Sequence, residues 1–162
     1  MASKTLNDLF LDELKDIYFA EKQIYRTLPK LAKAARATEL HDAFLLHREQ
    51  TEGQIARLET IFEMLDKPAR GKTCEAIKGI LEEGEEMLED YKDSDVLDAA
   101  LIGSAKAVEH YEMARYGTLK MLADKLRLPK AAKLLAETLQ EEQQTDVLLG
   151  RLAETETAAK AA

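Results

Sequence analysis

Apolar residues recur every three or four positions along almost the whole chain, the period of an amphipathic helix and not the alternation of a strand. From about Thr5 to Ala35 the stripe is Leu6, Phe10, Leu14, Ile17, Ile24, Leu28 and Leu31. Pro29 falls inside it and removes one helix hydrogen bond, which predicts a kink or a helix end nearby. A second stripe, Phe44, Thr51, Ile55, Leu58, Phe62 and Leu65, predicts a helix over about Glu39 to Leu65, with Thr38 as its N-cap. Lys67-Pro68-Ala69-Arg70-Gly71 reads as a loop. A shorter helix follows over about Thr73 to Tyr91, then a break at Asp93-Ser94-Asp95. A long helix spans about Val96 to Leu126, and Leu128-Pro129 marks the next turn. The last helix covers about Lys130 to Glu154, which makes residues 1–154 one helical domain and residues 155–162 a flexible tail of small and polar residues.

Four long helices with a shorter one between the second and third give an all-α bundle. A helix of about 19 residues spans roughly 28 Å, enough to carry the chain most of the way back along a bundle. A four-helix bundle with one long crossover is the ferritin-like topology; an up-down bundle with a fifth helix docked outside is the alternative. Composition agrees with either. The 25 leucines and 24 alanines, strong helix formers, stand against 7 isoleucines and 3 valines. With only 7 glycines and 3 prolines, turns are few, so β-sandwiches, barrels and doubly wound α/β folds are disfavoured.

Charge narrows the partners. A net charge of −8 argues against nucleic acid and anionic membrane surfaces, which call for a basic patch. The single cysteine, Cys74, forms no intrachain disulfide and reads as inert. Met1-Ala2-Ser3-Lys4 leads into no apolar targeting segment, and no run of about 18 apolar residues exists, so a cytoplasmic protein without membrane association is expected. Eight acids and one lysine crowd Glu82 to Asp95, a run read as the solvated face of the crossover helix.

The informative acids fall on the apolar stripes. At about 100° per residue, Glu21 lies between Ile17 and Ile24, and Glu13 leans inward beside it. The third long helix turns Ile102, Ala105, Glu109, Met113 and Tyr116 inward, with Glu112 on the same side as Glu109. In the last helix Glu142 is central to a face shared with Leu135, Thr138, Thr145, Leu149 and Leu152. The second helix adds His47, Thr51 and Gln54, with Gln50 on the flank and Glu52 at the margin. An ionised carboxylate in an apolar interior is costly unless paired, protonated or bound to metal. Two divalent cations would resolve the conflict, as in di-iron and di-manganese carboxylate bundles. The ligand set read from the sequence is Glu21, His47, Gln54, Glu109, Glu112 and Glu142, holding iron or manganese. The competing reading makes Glu109 and Glu112 a salt-bridged pair at an interface between copies. Glu21 to Gln54 and Glu109 to Glu142 are both separated by 33 positions, as two similar hairpins would require.

The chain resembles the YciE/YciF-type ferritin-like, stress-associated bacterial family. The resemblance is carried by Leu9-Phe10-Leu11-Asp12-Glu13-Leu14-Lys15-Asp16-Ile17-Tyr18, Ala20-Glu21-Lys22-Gln23 and Leu28-Pro29-Lys30-Leu31, continuing through His47 to Thr51 and Gln54 to Glu59. Later it rests on Val108-Glu109-His110-Tyr111-Glu112, Tyr116 to Leu119, Lys130 to Leu135, and Glu137 to Glu142 through Thr145-Asp146. It implies a homodimeric bundle with a metal site in its core. One departure stands out. Di-iron relatives carry Glu-x-x-His on two helices, whereas the last helix here reads Glu142-Gln143-Gln144-Thr145. Two functions follow: a di-metal protein that meets O₂ or peroxide, or a structural stress-response dimer that keeps the bundle without a working metal site.

Overall fold

The computed structural model describes residues 3–161, so Met1, Ala2 and the last residue of the expected tail, Ala162, lie outside the described residues. Five helices follow one another: α1 (Leu6–Ala34), α2 (Thr38–Met64), α3 (Glu75–Tyr91), α4 (Leu97–Lys125) and α5 (Pro129–Ala161). The described residues contain no strand. α1 packs on α2 and α4, and α5 on α4 and α2, closing a ring of four long helices. α3 lies against α4 and α1, outside that ring.

The start of each helix shows which topology is present. The Asp98 carboxylate, in the first turn of α4, accepts from the backbone N–H groups of Arg36 (2.9 Å) and Ala37 (2.7 Å) at the start of α2. The N-termini of α2 and α4 therefore lie at the same end of the bundle, and the two helices run parallel. Two consecutive long helices that run parallel, here across the diagonal of the ring, require a long crossover, which α3 supplies. The bundle thus has the crossover topology, and the up-down alternative is excluded.

Local chemistry sets the boundaries. Thr5 and Asp8 form a reciprocal capping box at α1, with the Asp8 N–H bonding the Thr5 hydroxyl and the Thr5 N–H bonding the Asp8 carboxylate. Pro29 does not end α1; its side is exposed, and the helix runs on to Ala34. The expected cap of α2 moves by one residue. Thr38 is already helical, Ala37 is the N-cap without a side-chain bond, and Asp98 takes over the capping. α2 and α4 both end in the same six-to-one turn, built without glycine. Asp66 (φ 52°) and Arg127 (φ 56°) occupy the left-handed position, and the N–H groups of Lys67 and Leu128 reach back to the carbonyls of Phe62 and Ala123. α5 extends past the expected end at Glu154 to Ala161, and residues 155, 157 and 158 are exposed.

The core is one cluster running through all five helices, including Phe10, Leu14, Ile17, Phe44, Phe62, Ile77, Leu101 and Leu119. Each such side chain contributes about 1.5–3 kcal/mol when fully buried. No helix among the described residues is long and apolar enough to cross a membrane. The acids of the Glu82–Asp95 run are all exposed, as a solvated face requires.

Candidate metal centre

At mid-height this apolar core is interrupted by polar side chains. Glu21, His47, Gln54, Glu109, Glu112 and Glu142 are all buried, each at most 3% exposed. All six residues singled out from the sequence are therefore inside, and they arrive from four helices. Each sits where its helix repeat returns to the inward stripe: Glu21 one turn from Ile17 and Ile24, Glu109 one turn from Ala105 and Glu112 one turn from Tyr116.

Four of the six converge. One ligand atom each from His47, Glu109, Glu112 and Glu142 fits within a group spanning no more than 4.8 Å. An ion with bonds of about 2.1 Å places its ligand atoms at most about 4.2 Å apart, so small side-chain rotations bring these four onto one centre. The approach of His47 is telling. Its Nε2 lies 3.0 Å from Glu109 Oε1 and 3.9 Å from Glu112 Oε2, yet the first contact lacks hydrogen-bond alignment. The ligand atoms crowd around one point without pairing off in hydrogen bonds.

Polar atoms around that point lack partners. Both carboxylate oxygens of Glu112 and of Glu142, Glu109 Oε2, Glu21 Oε2, His47 Nδ1 and Gln54 Oε1 are buried with no hydrogen bond. Leaving such groups unmet costs about 1–3 kcal/mol each, more when charged. A divalent cation accepts carboxylate and imidazole donors of this kind, so the residues present fit a metal.

Glu21 stands beside the four. Its carboxylate accepts from the Tyr116 hydroxyl and interacts with the Glu112 carboxyl. Burial, reinforced by Glu142, pushes Glu21 up to about 8, against the pull of the Tyr116 bond. Burial and the neighbouring Glu142 likewise hold Glu109 well above the usual carboxylate range. Glu112 is raised by burial and by Glu142, Glu21 and Glu109. Burial lowers His47 and keeps its imidazole neutral, the form that binds metal, although Glu142 and Glu141 pull the other way.

Gln54 is held from the side. Its Nε2 donates to Glu141 Oε2 at 3.0 Å, and Arg57 grips the same carboxylate with two N–H groups at 2.9 and 2.6 Å. This fork fixes the amide and leaves Gln54 Oε1 unpaired. Sequence reasoning did not single out Arg57 or Glu141. The available signals were Arg57 at i+3 from Gln54 and Glu141 next to Glu142.

Three flanking residues do not join the cluster. Glu13 is half-buried and bridged to Arg115 at 3.3 Å. Glu52 is exposed. Gln50 Oε1 lies 3.3 Å from the hydroxyl of Thr145, which also lies 3.1 Å from the Glu141 carbonyl. The residue standing where a second histidine would be thus bonds to its neighbours, as does Thr51 to the His47 carbonyl at 2.8 Å. Cys74 is buried with its sulfur 3.0 Å from the Tyr111 hydroxyl, consistent with an inert thiol.

The family described as "Domain of unknown function (DUF892)" matches the chain over residues 5–162. The chain belongs to that family. Protein YciF of Escherichia coli K12 is 47% identical over 154 residues, covering 94% of this chain and 93% of the relative. The crystal structure of the E. coli stress protein YciF superposes with a TM-score of 0.92 at 45% identity, covering 96% of this chain and 99% of that one. YcfI from Rhodopseudomonas palustris gives a TM-score of 0.88 at 40% identity, covering 91% and 94%. This DUF892 chain is a homologue of the stress protein YciF and shares its ferritin-like bundle.

Proposed function

We propose that this DUF892 protein binds two divalent redox metal ions, iron or manganese, in the middle of its bundle, and serves in a stress response. The observation that carries the reading is the convergence of His47, Glu109, Glu112 and Glu142 with unpartnered buried oxygens. Glu21, which interacts with Glu112, and Gln54 would supply further oxygens, Glu21 Oε2 and Gln54 Oε1 being buried without partners. The bound ions would supply one-electron exchange with O₂ or peroxide. The protein's part is to hold them: His47 as a neutral nitrogen donor, the glutamates as counter-charge, and Arg57 with Glu141 fixing the Gln54 amide. The family resemblance implies a homodimer, which is part of the same reading.

The double variant Glu109→Ala/Glu112→Ala tests the reading. Elemental analysis after aerobic purification is expected to find metal in the wild type and none above background in the variant. Equal metal content in the two proteins would overturn the assignment.

A second reading, a structural stress-response dimer without a working site, is favoured by one observation. Thr145 replaces a histidine and bonds to Gln50 and the Glu141 backbone, leaving His47 as the sole imidazole in the cluster. A wild-type protein free of metal when isolated from its native host would select this reading.

A further inference from the structure

Two small cavities share walls from α1, α3 and α4, and the inner of the two also reaches α2 and α5. The inner one has a volume of about 20 Å³ and is bounded by Leu31, Leu81, Ala105 and Val108, with His47 and Glu109 at its deep end. The outer one, also about 20 Å³, shares Leu31, Leu81, Ala105 and Val108 as walls and opens toward Lys30 and Glu85. Those two residues meet at 3.2 Å in an exposed ion pair on the surface seam between α1 and α3. The same apolar walls therefore line a cavity beside the Lys30–Glu85 surface seam and a cavity beside His47 and Glu109 of the metal cluster.

The walls define the guest. The Thr27 and Thr145 hydroxyls that border the space are bonded to the Gln23 carbonyl (2.9 Å) and the Glu141 carbonyl (3.1 Å). An ion passing between the shared walls would lose its water before any ligand of the cluster could replace it. A water needs two to four polar partners, whereas a dry apolar cavity takes gas-like guests. Leu81 on the crossover helix forms the outer wall, so α3 covers the passage.

We propose that this double cavity is a binding site and entry route for a small apolar oxidant of the dioxygen class, reaching the centre from the His47–Glu109 side. The proposal rests on the metal reading above for its destination; no bond forms or breaks in the cavity itself. It gives the crossover helix a task beyond connection, and it separates the oxidant's path from any path taken by ions.

Xenon and iron test it in two independent arms. In metal-free protein, dissolved xenon is expected to shift the methyl resonances of Leu31, Leu81 and Val108 and to leave those of Leu14 and Leu119 in place. Ala105→Leu, which fills the shared wall, removes these shifts. In protein loaded anaerobically with Fe(II), Ala105→Leu slows oxidation by O₂ severalfold while iron per chain is unchanged, and Leu81→Ala, which opens the wall, makes it as fast as wild type or faster. Should Ala105→Leu not fold, Thr27→Leu fills the same space from α1. Absence of xenon shifts overturns the site. Loss of xenon binding without any change in oxidation rate overturns the route. A wild type that takes up no Fe(II) overturns the metal reading and with it the destination, while the xenon arm still decides whether the cavity is a gas site.

Discussion

The two hairpins of the bundle share a spacing and differ in chemistry. α1 and α2 place Glu21 and Gln54 33 positions apart; α4 and α5 do the same with Glu109 and Glu142. The second hairpin contributes three buried carboxylates, counting Glu112, whereas the first contributes one carboxylate, one imidazole and one amide. Where α5 offers the carboxyl group of Glu142, α2 offers the amide of Gln54, tied through Glu141 to Arg57. The difference limits the repulsion that the interior must hold. A fifth acid among Glu21, Glu109, Glu112 and Glu142 would have to be matched by further positive charge, and the Arg57 guanidinium one turn from Gln54 is already committed to Glu141.

Making the hairpins alike should therefore have the largest effect. Gln54→Glu puts a carboxylate against Glu141, where an amide N–H now donates at 3.0 Å. The metal-free variant is expected to lose about 3–5 kcal/mol of stability at pH 7, as for a buried charge without a partner. Added Mn(II) or Fe(II) should recover much of that loss, because the new oxygen is also a ligand. Urea unfolding with and without metal measures both. A variant as stable as wild type in the absence of metal would show that Gln54 is not chosen for its neutrality.

Acidity offers a second way to break the comparison. Glu21 is raised to about 8 in the folded protein from an ordinary value of 4.5, and Glu109 and Glu112 are raised with it. The native state then binds more protons than the unfolded chain above pH 4.5, so stability falls as pH rises through this window. His47 acts oppositely, because its folded value is lowered below 6.5, but it does so only below pH 6.5. Between pH 6.5 and 8 the carboxyls act unopposed, and metal-free protein should lose about 1.4 kcal/mol per pH unit for each carboxyl that keeps its proton. Metal replaces those protons, so the loaded protein should be flat or gain stability over the same range. Tm recorded from pH 6.5 to 8 in both forms tests the sign, and a metal-free Tm that rises with pH contradicts the account.

Much of this was legible before any coordinates. A glutamate on an apolar stripe is visible from helical period alone, which is why Glu21, Glu109, Glu112 and Glu142 could be named. The helix boundaries followed from the same period to within a few residues, except at the end of α5. What was not legible depends on partners distant in sequence. Arg57 and Glu141 look like ordinary surface charges in their own helices, yet they sit 84 positions apart and close on each other across the α2–α5 seam. The role of Asp98 was hidden for the same reason. No local pattern announces that a residue at the start of α4 will cap a helix whose N-cap, Ala37, lies 61 positions earlier.

That cap and its counterpart give the smaller effects, since the hairpins also turn differently. The α1–α2 turn depends on the other hairpin through Asp98, which is buried and accepts two backbone N–H groups. Asp98→Ala should cost about 1–2 kcal/mol, as loss of a helix cap does, with urea unfolding as the check. The α4–α5 turn is closed by its own backbone hydrogen bonds. Arg127 adopts φ 56° to close it, in a conformation that strains a residue with a Cβ, and its side chain is exposed. Glycine removes that strain, though it also frees the unfolded chain. Arg127→Gly should therefore raise stability by about 0.5–1 kcal/mol, the excess of strain over added chain entropy. Metal content should not change, because the turn lies at the end of the bundle, far along α4 from Glu109 and Glu112. A destabilised Arg127→Gly would mean that the arginine side chain contributes more at this turn than its backbone strain costs.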